Sequence, residues 1–169
     1  QLVMAVYHVP AGSSPDYAAV ELLTSILADT PSGRLHKALV ETKQAASVLG
    51  LAFEWKEPTV LILGAQLPGS ASLETARATL VKTLDSIAEQ PVTEAEVDRA
   101  RTKYLKDFEQ TTSDPEKIGV ALSTSIAMGD WRPFFLQRDQ VRKAKAADVQ
   151  RIAAAYLVPD NRTLGLFIP

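Results

Sequence analysis

Cysteine is absent from the 169 residues, which removes disulfides, thiolate nucleophiles and cysteine-based zinc sites together. Its absence assigns no compartment, and both periplasm and cytoplasm stay open. Histidine is nearly as scarce, with His8 and His36 the only two. No apolar run approaches the roughly 20 residues that a membrane-spanning helix needs. Neither sign of charge dominates: 18 Lys and Arg against 20 Asp and Glu leave a net charge of −2. That balance offers no pull toward nucleic acid or an anionic membrane, and neither is expected as a partner. Internal repeats, low-complexity tracts and dividing linkers are missing as well.

What remains is the composition of an ordinary globule, 46% hydrophobic and 22% charged. A chain of this length suits one domain, residues 1–169, burying roughly two-thirds of its unfolded surface. Leu2 to Val9 is apolar on both alternating faces, which predicts an inner strand. Ser14 offers an N-cap and Pro15 a first helical position for a helix through about Ala28. Pro31-Ser32-Gly33 breaks it, and a second helix is expected from about Arg34 to Lys43. In the hairpin that follows, Leu51, Phe53 and Trp55 alternate on one strand, Lys56-Glu57-Pro58 turns, and Thr59 to Leu67 returns.

Helices dominate the rest. Leu73, Ala76, Leu80, Leu84 and Ile87 form the buried stripe of a helix from Ser72 to about Glu89. Thr93 and Glu96 stand three apart as a capping box, with Val92 and Val97 at the flanking staple positions. The helix they open runs to about Thr111 and turns Val97, Ala100, Tyr104 and Phe108 inward. Asp114-Pro115 opens another that Gly129 closes, and a further helix follows Pro133. In the closing segment, Val149, Ile152, Ala153, Tyr156 and Leu157 share a helical face. Pro159-Asp160-Asn161 then turns the chain into a last strand, where Leu164, Leu166 and Ile168 alternate with Thr163, Gly165 and Phe167 up to Pro169. Strands and helices are segregated, which predicts an α+β fold: an antiparallel or mixed sheet with helices packed on one face. Strand-like residues at both ends suggest a lobe of a longer chain.

No reactive constellation stands out. His36 is followed by Lys37, Ala38, Leu39, Val40 and Glu41, which fits neither His-Glu-x-x-His nor His-x-x-Glu-His. His8 has no carboxylate at metal-ligand spacing. The serine pairs lack a nucleophile elbow, and no glycine-rich phosphate loop occurs. Glu94, Glu96, Asp98, Asp107 and Glu109 alternate with Arg99, Arg101, Lys103 and Lys106, the pattern of a solvated helix face. Trp131-Arg132-Pro133-Phe134-Phe135 reads either as a binding anchor or as a helix start packed on the core, and the second is favoured. No catalytic, cofactor-binding or metal-binding residue is assigned.

Three phrases, in order, resemble the pitrilysin/insulinase family of zinc peptidases. Gly33-Arg34-Leu35 with Leu39-Val40-Glu41 resembles its Ser-Arg-Leu helix. Pro91 to Ala100, PVTEAEVDRA, resembles a characteristic helix start, and Asp148 to Thr163 resembles the phrase that closes each lobe. The resemblance implies an α+β lobe, one of several that pair into halves around a chamber where peptides are hydrolysed. Zinc is expected in the lobe bearing His-x-x-Glu-His, and the absence of that motif makes this chain resemble a non-catalytic lobe. Its partners would be the catalytic lobe, the opposite half and a peptide substrate. The family's assisting Arg and Tyr fall at Val40 and Ser47, which points to the lobe adjoining the catalytic one and makes Arg34 structural. A structural or assembly subunit of the same fold, like a respiratory-complex core or an inactive partner subunit, is the alternative.

Overall fold

The computed structural model describes residues 1–168; Pro169, at the end of the expected last strand, lies outside the described residues. Four strands, β1 (Leu2–Val9), β2 (Ser47–Ala52), β3 (Thr59–Gln66) and β4 (Arg162–Phe167), form one sheet in the order β2-β3-β1-β4. Every neighbouring pair is antiparallel, and β1 is an inner strand. Six α-helices accompany them: α1 (Tyr17–Ala28), α2 (Leu73–Asp85), α3 (Glu94–Thr112), α4 (Pro115–Ala127), α5 (Pro133–Lys143) and α6 (Ala146–Tyr156). None is long and apolar enough to cross a membrane.

The core lies between the helices and one sheet face. Val3, Ala5 and Tyr7 stand opposite Ala65, Leu63 and Leu61, and all six are fully buried. Over them lies α1, buried nearly all round because its sequence YAAVELLTSILA is apolar nearly all round. Ala76, Leu80 and Leu84 bring α2 onto the same core, and Val149, Ile152 and Ala153 bring α6.

The helix ends follow their local chemistry. Ser72 caps α2 by accepting the Thr75 N–H at 3.2 Å. Both halves of the Thr93–Glu96 box form, and Val92 and Val97 are buried beside it. Asp114 caps α4 by accepting the N–H groups of Glu116 and Lys117. After Met128, Gly129 takes φ 104°, a left-handed turn that glycine adopts without steric cost.

Three boundaries differ from those expected. First, α1 begins at Tyr17, not at Pro15. Ser14 Oγ accepts the Asp16 N–H at 3.2 Å and its carbonyl accepts from Tyr17, so Ser14-Pro15 make a turn ahead of the helix. Second, the helical turn begun at Arg34 widens into a π-turn over His36–Val40 and ends there. The N–H groups of Gln44 and Ala45 both reach back to the Leu39 carbonyl, and Lys43 sits at φ 62°. Third, the first hairpin strand is Ser47–Ala52, so Phe53 and Trp55 belong to the connection. There the Gly12 N–H donates to the Trp55 carbonyl at 2.8 Å, which takes the chain off the β3 ladder.

Candidate functional site

Side chains alternate across a strand, so the register that buries Val3, Ala5 and Tyr7 sends their neighbours to the opposite face. That face carries Leu2, Met4, Val6 and His8 from β1 and Val60, Ile62, Gly64 and Gln66 from β3. Leu49 and Leu51 from β2 and Phe167 from β4 extend it to both edges. No Asp, Glu, Lys or Arg stands at any paired position of this face. Most of its side chains are half-buried, with Leu51 49% and Phe167 59% exposed. A contiguous uncharged apolar surface of this kind marks an interaction site. At one end Gln1, Leu2, Ser47, Leu49, Gln66 and Phe167 border a hollow of about 400 Å³.

Val40 and Ser47 have different fates. Val40 packs against the core. Ser47, where the family pattern has Tyr, opens β2 on the uncovered face and borders the hollow. Arg34 lies elsewhere, donating to Glu96 and to the carbonyls of Gln90 and Pro91.

The donor set does not fit zinc. His8 is an exposed residue of the open face, and its backbone carbonyl accepts from Asn161 Nδ2 at 2.9 Å. His36 Nδ1 lies 3.8 Å from one carboxylate, Glu41. No group of three or more His, Asp or Glu among the described residues is placed to share a metal ion.

Two sequence expectations need correction. The carboxylates of α3 are not all solvated: Glu96 is half-buried and clasped by Arg34, while the exposed Glu94 accepts the Ala146 N–H at 3.1 Å. The aromatic cluster is not part of the main core. Phe134 stacks on Phe108 at 4.9 Å and Trp131 meets Phe135 edge-on, fastening α5 to α3 while Trp131 stays 53% exposed.

One titratable cluster escaped sequence reasoning. Glu21 of α1 and Glu54 of the β2–β3 connection lie beside Tyr17 and Tyr104. Burial, then the Glu54 charge, pushes the Glu21 carboxyl up to about 7, and the nearby Tyr17 hydroxyl and Lys103 offset only part of this. Burial raises Glu54 as well. The Tyr17 hydroxyl and one Glu54 oxygen have no hydrogen-bond partner among the described residues. A signal existed: Glu21 stands four residues after Tyr17 on a helix with almost no polar face.

The family model described as "Peptidase M16 inactive domain" matches residues 2–104. The chain belongs to that family. Solved structures of high similarity come from two Bordetella species. One is the inactive peptidase domain of a provisionally named zinc protease from Bordetella parapertussis, 52% identical at a TM-score of 0.91. The match covers 99% of this chain and 90% of that one. A provisionally named zinc protease from Bordetella pertussis is 51% identical at a TM-score of 0.90, with 99% and 93% covered. The zinc protease PqqE of Helicobacter pylori is 22% identical over 163 residues, 96% of this chain and 36% of that protein. This M16 inactive domain therefore spans about a third of that curated relative. A complex III2 chain from Candida albicans shares the fold alone, at 13% identity and a TM-score of 0.81.

Proposed function

We propose that this M16 inactive domain is the non-catalytic lobe of a zinc metalloendopeptidase and that its open sheet face forms part of a peptide-holding chamber. The observation that carries this is the uncharged apolar face, uncovered from β2 to β4 and ending in the hollow beside Ser47. Such a surface accepts varied peptide side chains by apolar contact and imposes no charge preference. Peptide hydrolysis falls to a catalytic lobe, where zinc held by His-x-x-Glu-His supplies the Lewis-acid chemistry. Val40 and Ser47 supply neither the cation nor the phenol of the family's assisting pair. The role assigned here is wall and scaffold beside the catalytic lobe and across from the opposite half.

The test compares this chain with the longer protein proposed to carry it. Peptide cleavage and one bound zinc per chain are expected of the longer protein and of neither kind for the lobe alone. Leu51→Lys with Ile62→Lys on the open face should raise KM for apolar peptides in the longer protein. Zinc bound one-to-one by this chain alone, or an unchanged KM in a correctly folded variant, overturns the proposal.

A further inference from the structure

On the helical side of the lobe, a groove of about 710 Å³ runs between the π-turn His36–Val40, α2 and the entry to α3. Its long wall has a simple origin. Thr79, Lys82, Thr83 and Ser86 stand at i, i+3, i+4 and i+7, one stripe along α2 and the short 3-10 turn that extends it. Lys37 and Ala38 face it from the π-turn. The far end is held by Arg34, four of whose five N–H donors are engaged by Glu96, Gln90 and Pro91.

The hydrogen-bond inventory narrows the occupant. Thr79 donates its hydroxyl hydrogen to Gln44 Oε1 at 2.7 Å, Thr83 donates to the Thr79 carbonyl at 2.8 Å, and Ser86 donates to the Thr83 carbonyl at 2.8 Å. Thr93 donates to Glu96 at 2.9 Å. Each hydroxyl thus has its hydrogen committed and offers only lone pairs. The opposite offer comes from Lys37 and Lys82, exposed ammonium groups that form no ion pair among the described residues. Inorganic phosphate asks for converging donors and leaves the hydroxyl acceptors unused. An extended peptide alternates N–H donors with carbonyl acceptors and so uses both, and acidic side chains complement the two lysines. The volume lies within the range of ordinary ligand pockets, roughly 300–1,000 Å³.

We infer that this groove binds an extended acidic peptide segment, its main-chain N–H groups on the Thr79, Thr83 and Ser86 oxygens and its carboxylates on Lys37 and Lys82. The site lies apart from the open sheet face and does not depend on the chamber role. The groove lies on the helical side, apart from the face proposed to hold substrate, so the peptide seated here is a segment of a partner protein.

The test is fluorescence polarisation of a labelled ten-residue peptide of Glu, Ser and Gly, titrated with this chain at neutral pH and low salt. Saturable binding is expected, weakened at least about tenfold when Gln replaces Glu in the peptide. The Lys37→Glu/Lys82→Glu double variant should lose at least as much, since both residues are exposed and the fold does not rest on them. Ala38→Trp, which fills the groove and keeps its charge, should also abolish binding; Ser86→Tyr repeats the block if that variant fails to fold. Binding that survives a folded groove-blocking variant, or tripolyphosphate competing as well as unlabelled peptide, overturns the proposal in favour of diffuse charge attraction. Absence of saturable binding overturns it outright.

Discussion

Arg34 and Glu96 meet side by side across 62 residues of sequence, Nε to Oε1 and Nη2 to Oε2, each at 2.8 Å. The same carboxylate accepts the Thr93 N–H and hydroxyl, so it joins a helix cap to the start of the π-turn. Arg34 in turn satisfies the carbonyls of Gln90 and Pro91. The pair is mostly shielded, with side-chain exposures of 16% and 17%. Bidentate charge-assisted bonds in such a setting are stronger than surface ion pairs.

Arg34→Ala is therefore expected to destabilise the domain by roughly 2–4 kcal/mol, because it strands a shielded carboxylate. Arg34→Lys should recover only part of the loss, since one ammonium cannot form the fork. Hydrogen bonding to Arg34, then to Thr93, holds the Glu96 carboxyl down at about 2 against the cost of burial. The stabilisation it brings is present above the ordinary carboxylate range, near pH 4.5, and is lost as pH falls toward 2. Urea unfolding between pH 2 and 7 checks both statements: Glu96→Gln should be less stable at pH 7 and flatten that acid limb.

Glu21 and Glu54 act in the opposite sense. Glu21 titrates at about 7 in the folded chain, and Glu54 is raised too, so the native state holds protons that the unfolded chain releases. The associated stability is complete below about pH 4.5 and is lost as pH rises through 7. Tyr17 on the same helix, Tyr104, Lys103 and Asp107 on α3, and Arg138 on α5 surround the site, and none compensates both carboxylates. Glu21→Gln should leave stability at pH 5 nearly unchanged and raise it at pH 8 by up to about 3 kcal/mol. Equal effects at the two pH values would rule this account out.

How much of this was visible in the sequence depends on the range of each interaction. The Thr93–Glu96 box was legible because three residues separate its partners, and the apolar stripe of α2 because one helix writes it. The partner of Arg34 was not, since only the folded chain brings residue 96 to residue 34. Ser14 misled for a local reason: its hydroxyl does bond an amide, but that of Asp16, the residue just before α1. The burial of Glu54 was not legible because the strand was expected to continue through Trp55. Val40 and Ser47 were matched to the family's assisting positions by counting, and only the register of β2 shows Ser47 on the open face.

Gly50 fixes how closely β2 approaches α1. A Cβ added there would stand 2.5 Å from Ala28 Cβ and 3.1 Å from Thr24 Cγ2. Gly50→Ala should therefore cost about 1–3 kcal/mol through overpacking. Adding Ala28→Gly should return part of it, beyond what the two single changes predict by addition. Gly69, with nothing within 4 Å of its would-be Cβ, is the control, and Gly69→Ala should change little. Thermal melts of the four variants decide the matter.

Asn161 explains why the closing phrase needs an amide at this position. Its Nδ2 donates to the Tyr156 carbonyl at 2.8 Å and to the His8 carbonyl at 2.9 Å, pinning the end of α6 to the end of β1. Asn161→Ala removes both bonds and should cost about 1–2 kcal/mol. Asn161→Asp keeps the shape but, when ionised, aims acceptor oxygens at two carbonyls, so at pH 7 it should be the less stable of the two. At pH 3 a protonated Asp regains one O–H donor, and the order should reverse. Parallel urea titrations of both variants at the two pH values test this, and an order that stays the same would remove the amide's donor role as the explanation.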